Sequence, residues 1–128
     1  MTPERVLTSL ADVKPTTGFG ETFQYSNQLV AIGGYAAAHK VLPDRPMDAG
    51  YAELLRTRFF VPLGMTASTT DFKAGADAPH AEPHATAPDG ERIPFDIEAE
   101  RFVVPYLPAG GVWSNLEDMS RYALMELG

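Results

Sequence analysis

The segment from Gln28 to Ala38, QLVAIGGYAAA, carries no charged residue and constrains the fold more than any other part of the chain. Together with the residues up to Val41 it has the pattern of a nearly apolar helix, so we expect a buried helix at residues 28–41. Its most apolar part, Leu29 to Ala38, is about half as long as a membrane span. Gly33-Gly34 costs about 1 kcal/mol per residue relative to alanine in a helix. Because these glycines destabilise the helix and are followed by alanines, we interpret them as a notch of small residues that lets another helix approach closely.

Three further helices are indicated by their termini. Thr2-Pro3-Glu4 has the form of an N-cap, a first-turn proline and a first-turn acid, and predicts a helix over residues 3–13. Asp48 is expected to cap a third helix, which Pro62–Met65, PLGM, ends. The Ser114–Glu117 segment, SNLE, has the form of a capping box and predicts a last helix beginning there.

Residues 66–101 form the irregular part of the chain. Four prolines lie there and preclude a long helix: Pro79, Pro83, Pro88 and Pro94. The Ala87–Glu91 segment, APDGE, is typical of a turn, and we expect a short hairpin near residues 86–95. The fold class predicted from these patterns is mainly α, with about four to five helices.

Length, charge and cysteine content limit the classes of function. The 128 residues fit a single domain, and 45% hydrophobic with 21% charged residues is ordinary for a globular chain. A net charge of −7 disfavours a nucleic-acid partner. The absence of cysteine excludes disulfides and thiolate chemistry. The absence of cysteine does not decide the compartment, which is expected to be the periplasm or the cytoplasm of a bacterium.

The common local motifs of catalysis are missing from the chain. No serine lies in Gly-x-Ser-x-Gly or three residues before a lysine, no lysine begins Lys-Thr-Gly, and no glycine pattern indicates a phosphate loop. His80 and His84 have the spacing of metal ligands on a helix, but Pro79 and Pro83 make a solvated loop the better interpretation. We expect no metal site and no cofactor.

The segment Tyr25-Ser26-Asn27 precedes the apolar helix and has two interpretations. In the first, Ser26 or Asn27 only caps the helix and Tyr25 packs against its first turn. In the second, Tyr25 is a catalytic base beside a substrate-binding amide. The local sequence alone favours capping.

The order of motifs along the chain supports the second interpretation in addition to capping. A glycine-containing loop leads to Phe-x-Tyr-Ser-Asn, followed by the apolar helix, by RFFVPLGM (58–65) and by PAGGVWSNLEDMSRYALMEL (108–127). This order resembles the helical domain of serine β-lactamases of class C type and of the related DD-peptidases and esterases with the penicillin-binding fold. The resemblance covers nearly the whole chain and is least informative at residues 70–105.

The resemblance implies roles for particular residues. In that family the helical domain is inserted in an α/β domain, and a Tyr-x-Asn element in the cleft between them corresponds to Tyr25 and Asn27. A phenol acts as a base at neutral pH only where cations stabilise the phenolate, and an amide offers a substrate both a donor and an acceptor. Gly110 and Gly111 are expected either on the rim of the cleft, contacting substrate, or as a tight lead-in to the last helix.

The resemblance also implies what the chain lacks. The nucleophilic Ser-x-x-Lys motif and a Lys-Thr-Gly or His-x-Gly triplet would belong to the α/β domain, so residues 1–128 are expected to be a single helical domain of a larger hydrolase, inactive alone. Its expected partners are a small-molecule ester, amide or β-lactam and the α/β domain, with self-association through the uncovered face. The alternatives are a stand-alone, non-catalytic binding module and a penicillin-recognising sensor.

Overall fold

The computed structural model describes residues 2–128, and the described chain is mainly helical, as predicted. Its elements, in chain order, are α1 Pro3–Ser9, α2 Asn27–Val41, α3 Met47–Leu55, a π-helical segment Arg56–Phe60, α4 Val61–Leu63, α5 Phe72–Asp77, β1 His84–Thr86, β2 Arg92–Pro94, a 3-10 segment Ile97–Ala109 and α6 Leu116–Leu127. Among the described residues, no helix has both the length and the apolar character needed to cross a membrane.

Helix α2 is the centre of the fold, packed against α3 and the 3-10 segment. It buries one face, through Ala31, Tyr35 and Ala38. The prediction of a buried helix holds for this face and is wrong for the rest of α2, where Leu29, Val30 and Val41 are exposed. Neighbours cover a single face of α2, so its remaining apolar residues lie at the surface.

The expected close approach to α2 is confirmed at Gly34. A Cβ atom there would overlap Pro108 Cβ and lie 2.8 Å from Pro108 Cγ and 3.2 Å from Tyr51 Cε2. The adjacent Gly33 has no such neighbour within 4 Å. Gly34 therefore lets the 3-10 segment and α3 contact the α2 backbone, and Gly33 has no packing role.

Helix α1 begins as predicted and ends earlier. Arg5 donates its backbone N–H to Thr2 Oγ1 at 3.4 Å, and Val6 is fully buried. The helix stops at Ser9 rather than at residue 13. Val13 is 62% exposed, so no packed face supports the extra turn that was predicted.

Helix α3 differs from the prediction at its start. Pro46 occupies the N-cap and makes no side-chain capping bond. Asp48 lies one residue inside the helix, where its Oδ1 accepts from Ala49 N at 2.7 Å. Asp48 is therefore not the cap, although a carboxylate in the first turn still suits the helix dipole.

The end of this helical stretch matches the prediction and adds a feature. The helix widens into the π-helical segment Arg56–Phe60 just before Pro62. Proline has no N–H and its ring crowds the carbonyl of the preceding turn, so a wider turn lets the helix continue past it. Gly64, with φ of +67°, then stops the helix.

The hairpin is confirmed. Strands β1 and β2 pair antiparallel, with His84 opposite Pro94 and Thr86 opposite Arg92. The connecting turn is closed by Ala87 N donating to Glu91 O at 2.8 Å. Gly90 takes a φ of +89°, which explains the glycine in the Pro-Asp-Gly turn.

Two helical elements lie where the sequence indicated irregular chain. Helix α5 is capped by Asp71, whose Oδ1 accepts from Lys73 N and Ala74 N at 2.9 and 3.2 Å. The 3-10 segment is capped in the same way by Asp96, which accepts from Glu98 N at 2.9 Å. The prolines exclude a long regular α-helix, as expected, but they are compatible with these short elements.

Helix α6 begins one residue later than predicted. Its cap is Asn115, whose Oδ1 accepts from Asp118 N at 2.9 Å. The prediction that Ser114 opens the helix with a capping box is wrong, since Ser114 Oγ lies 2.8 Å from Ser68 Oγ instead. Glu117, the expected second half of the box, pairs with Arg121.

Candidate functional site

The Tyr25-Ser26-Asn27 segment leads into α2. Ser26 is the N-cap, with extended backbone, and its Oγ accepts from Leu29 N at 3.3 Å. Asn27 is the first residue of the helix. Tyr25 is 74% exposed, so it is not a core aromatic. Capping thus accounts for Ser26 and leaves the side chains of Tyr25 and Asn27 available at the surface.

Asn27 borders a cavity of about 290 Å³, which we call the Asn27 cavity. Its lining consists of two amide side chains from the start of α2 and a mainly apolar wall from the 3-10 segment and the loop after it: Asn27, Gln28, Phe102, Val103, Tyr106, Ala109 and Gly110. Two of the residues selected from the sequence, Asn27 and Gly110, are therefore brought together. Tyr25 is not part of this lining.

The two glycines of the predicted rim have different surroundings. Gly110 has a φ of +154°, and a Cβ there would meet no atom within 4 Å. Gly111 donates its N–H to Leu107 O at 2.9 Å, and its Cβ would lie 2.9 Å from Leu107 Cα. Gly111 borders a second cavity of about 190 Å³, which shares Val103 and Gly110 with the first. Gly110 is open to the cavities, and Gly111 also has a packing role.

The wall of the Asn27 cavity is attached to the same helix that carries Asn27. Buried Tyr35 donates its hydroxyl to the carbonyl of Pro105 at 3.0 Å. One residue earlier, Gly34 has no side chain, so the ring of Pro108 packs directly against the helix backbone. Between these two contacts the backbone of the 3-10 segment kinks at Tyr106, with φ −116° and ψ 29°. Two contacts on α2 thus fix the part of the wall that bears Tyr106.

Among residues 2–128, no charged side chain lines the Asn27 cavity. Arg101, next to Phe102 in the chain, donates to Glu98 Oε2 at 2.7 Å and places its guanidinium 4.9 Å from the centre of the Phe72 ring. This cation is therefore engaged away from the cavity. Any ligand here meets amides, the phenol of Tyr106, apolar side chains and backbone.

A buried carboxylate that the sequence analysis missed joins the loop after α4 to α6. Asp118 is 2% exposed and accepts from Ala67 N and Ser68 Oγ, each at 2.8 Å. Close by, Thr69 and Trp113 exchange backbone hydrogen bonds of 2.8 and 3.0 Å. These contacts anchor the segment that leads from Gly111 to α6. An acid in the first turn of the predicted helix was the only sequence signal, and it is also common in exposed helices.

His80 lies in irregular chain before the hairpin, and His84 is the first residue of β1. Each Nδ1 lies 2.8 Å from a nearby backbone oxygen, that of Ala78 for His80 and that of Glu82 for His84. The ring of His80 packs edge-on against Trp113, with centroids 5.7 Å apart. Within residues 2–128, no group of three or more histidine, aspartate or glutamate side chains is arranged to hold a metal ion.

Comparison with known proteins gives one finding. The family model described as Beta-lactamase matches residues 2–128. No curated protein and no solved structure shows significant similarity to the chain. The match covers all the described residues and agrees with the mainly helical architecture and its small two-stranded hairpin. The chain therefore belongs to the Beta-lactamase family, a family of serine-hydrolase type whose substrates are small molecules.

Proposed function

We propose that this chain is the helical domain of a two-domain serine hydrolase, which forms an acyl-enzyme with an ester, amide or β-lactam and then hydrolyses it. Family membership supports the hydrolase type. The chain itself lacks Ser-x-x-Lys, so in this proposal the nucleophile comes from an α/β domain of the same polypeptide. The cleft between the two domains is the active site.

The observation that carries the proposal is the meeting of Asn27 and Gly110 at one cavity. These residues come from the start of α2 and from the loop before α6, far apart in sequence. Helix capping alone requires no such convergence, since Ser26 by itself satisfies the backbone N–H of Leu29. A substrate cleft requires it, because groups from separate elements must contact one ligand.

Each of the three positions has a distinct role in this proposal. Tyr25, exposed beside the start of α2, accepts the proton of the attacking serine while the serine oxygen bonds to the acyl carbon. It then returns that proton to the leaving group as the scissile bond breaks. Asn27 binds the amide or ester group of the substrate through its amide. Gly110, where a side chain is absent, leaves room for the substrate at the rim.

The surface around Tyr25 fits a contact with a second domain. Phe19, Phe23 and Leu29 flank it in the chain, and all three are largely exposed. Several exposed aromatic and aliphatic side chains in one segment are typical of an interaction surface. We propose that the α/β domain covers this face and supplies the cations that activate Tyr25. In a sample of the isolated chain, the same face is free to self-associate.

The test compares the chain with the complete coding sequence that contains it. Each protein is incubated with a chromogenic cephalosporin and a p-nitrophenyl ester, and covalent adducts are measured by mass spectrometry. The chain alone should give neither turnover nor adduct, and the complete protein should give both. Turnover or a stoichiometric adduct with the chain alone contradicts the two-domain proposal. A complete protein that never acylates indicates a binding module, and one that acylates but barely deacylates indicates a sensor.

A further inference from the structure

We infer that Asp118 is a positioning residue for the proposed reaction. Through a chain of hydrogen bonds it holds residues 110–114, which we call the rim segment, and so keeps Gly110 where it meets the substrate beside Asn27. The inference rests on the proposed function for the role of these two residues. Asp118 is not in the lining of the Asn27 cavity, so it acts through other residues and takes no part in the chemical step.

The burial of Asp118 needs compensating contacts. Within the part of the chain that the structure describes, it is the charged side chain that the core buries, with 2% of its surface exposed. A buried carboxylate is unfavourable unless hydrogen bonds and an opposite charge replace its hydration. One oxygen, Oδ2, accepts from Ala67 N and Ser68 Oγ, each at 2.8 Å, and Oδ1 lies 3.9 Å from Arg121 Nη1. Both donors to Oδ2 belong to the loop after α4, so the carboxylate ties that loop to α6.

The tied loop holds the far end of the rim segment at two points. Ser68 donates its single hydroxyl proton to Asp118, so Ser114 is the donor in the 2.8 Å contact between the two serine oxygens. Beside it, Thr69 and Trp113 exchange backbone hydrogen bonds of 2.8 and 3.0 Å. Asp118 therefore fixes the orientation of the Ser68 side chain and, through it, supports the pairing of the loop with the rim segment.

The near end of the rim segment has contacts of its own. The Trp113 ring packs on the α5 backbone at Gly75, where a Cβ atom would overlap the ring. Gly111 donates its N–H to Leu107 O at 2.9 Å. Gly110 donates to the same oxygen at a longer 3.3 Å, and a Cβ there would meet no atom within 4 Å. Little packing surrounds Gly110 itself, so its place depends on what holds the residues that follow it.

Loss of the carboxylate should loosen this arrangement step by step. The N–H of Ala67 and the hydroxyl of Ser68 lose their acceptor. The Ser68 side chain is then no longer held toward Ser114, and the rim segment loses one of its two supports at that end. Gly110 and Asn27 are correctly placed in only a fraction of the molecules, and the apparent affinity for the substrate falls by that fraction. Molecules that do bind substrate react as before, because the proposed proton transfer does not involve the rim segment.

Steady-state kinetics of the complete protein with a p-nitrophenyl ester tests the role in the reaction. Asp118→Ala should raise KM about tenfold and change kcat less than about threefold, since it removes binding common to the ground and transition states. Loss of stability alone would reduce the amount of folded enzyme, which lowers the maximal rate and leaves KM unchanged. An unchanged KM in Asp118→Ala overturns the inference.

Matched variants separate the hydrogen bonds from the charge. Asp118→Asn keeps an oxygen that can accept from Ala67 N and Ser68 Oγ, so its KM should return to within about threefold of the wild type. Glu117→Ala removes the neighbouring acid, which pairs with Arg121 at the surface, and should leave KM unchanged. A KM for Asp118→Asn as high as that of Asp118→Ala, or an equal rise in Glu117→Ala, overturns the inference.

A further variant, Ser68→Ala, decides the question if Asp118→Ala does not fold. It leaves the carboxylate bonded to Ala67 N and breaks the link to Ser114. KM should then rise about threefold or more. A folded Ser68→Ala protein with the wild-type KM overturns the inference.

Amide hydrogen exchange in the chain tests the attachment of the rim segment without catalysis. In Asp118→Ala, exchange at the Trp113 amide should accelerate at least about tenfold more than exchange at the Tyr35 amide in α2, because the opening is local. Equal acceleration at both amides means global destabilisation and overturns the inference, as does no acceleration at Trp113. An absence of turnover in the complete wild-type protein is instead a failure of the hydrolase proposal, and the exchange result does not depend on it.

Discussion

At the scale of single residues, two neighbouring glycines of α2 show how position decides the effect of one residue type. Gly34 lies under Pro108 and Tyr51, whereas Gly33 faces open space. The sequence predicted the close approach but could not distinguish the two, because the identity of the packed residues depends on which face of α2 the 3-10 segment covers. The comparison can be made by changing each glycine to alanine.

Gly34→Ala should destabilise the fold by about 1–3 kcal/mol, because the new methyl group overlaps Pro108 Cβ. Gly33→Ala should be neutral or stabilise it by up to about 1 kcal/mol, since alanine is the better helix former and nothing obstructs its Cβ. Urea unfolding of both variants checks this. Similar effects of the two substitutions would show that Pro108 does not pack on α2 as described.

Buried Tyr35 gives the protein a predicted pH dependence. Burial raises the pKa of Tyr35 to about 12, while the unfolded chain titrates near 10. The unfolded state therefore loses this proton first as the pH rises. The stabilisation is fully present below about pH 10 and is lost as the pH approaches about 12, by on the order of 2 kcal/mol. Burial also raises the pKa of Tyr51, which acts in the same direction.

Urea unfolding at several alkaline pH values tests this role with the variant Tyr35→Phe. At pH 8 the variant should be less stable by about 1–3 kcal/mol, because the buried carbonyl of Pro105 loses its donor. Above pH 10 the difference in stability between the two proteins should shrink. Only the wild type has the buried phenol at position 35, so only the wild type loses the stability that depends on its protonation. A stability difference that stays constant across the alkaline pH values would contradict the raised pKa of Tyr35.

At the scale of elements, the sequence predicts helix ends well where one residue has the required chemistry. Thr2 and Gly64 behave as expected, and of the two caps expected for α2, Ser26 or Asn27, the structure uses Ser26. Prediction fails where adjacent residues compete for the same position, as at Ser114 and Asn115. There the tertiary contact with Ser68 engages Ser114 and leaves the cap to Asn115, and no local pattern contains that information.

The shifted cap of α6 gives a direct comparison of these two residues. Asn115→Ala should cost about 1 kcal/mol in stability, because the N–H of Asp118 loses its acceptor. Ser114→Ala should cost less, since it removes an exposed hydroxyl contact with Ser68. Thermal or urea unfolding of the two variants measures the difference. The reverse order would restore the capping box that the sequence suggested.

The 3-10 segment, like α5, is an element that the sequence did not predict. Its prolines exclude a regular α-helix, and Pro105 and Pro108 instead become its attachments to α2, by a carbonyl and by a ring. Both contacts join residues far apart in the chain. The wall of the Asn27 cavity, with Phe102 and Tyr106, was unpredictable for the same reason, whereas Asn27 and Gly110 were identified from motifs.

At the scale of the whole molecule, the described chain combines a packed centre with an uncovered apolar segment around Tyr25. Tyr35, Ala31 and Ala38 form the buried face of α2, while Phe19, Phe23 and other apolar side chains remain exposed. The sequence predicted the mainly α class and the family, because ordered motifs extend over the whole length. In our account this distribution reflects a helical domain that completes its active site against a second domain.

The most direct test of that account measures the catalytic role of Tyr25 in the complete protein. We predict that Tyr25→Phe lowers kcat/KM for a p-nitrophenyl ester by about 10²- to 10⁴-fold, the usual contribution of a general acid–base residue. The matched variant Tyr122→Phe removes a hydroxyl on α6 that bonds Glu126 and should leave the activity unchanged. Circular dichroism establishes that both variants are folded. A folded Tyr25→Phe protein with wild-type kcat/KM would contradict the account.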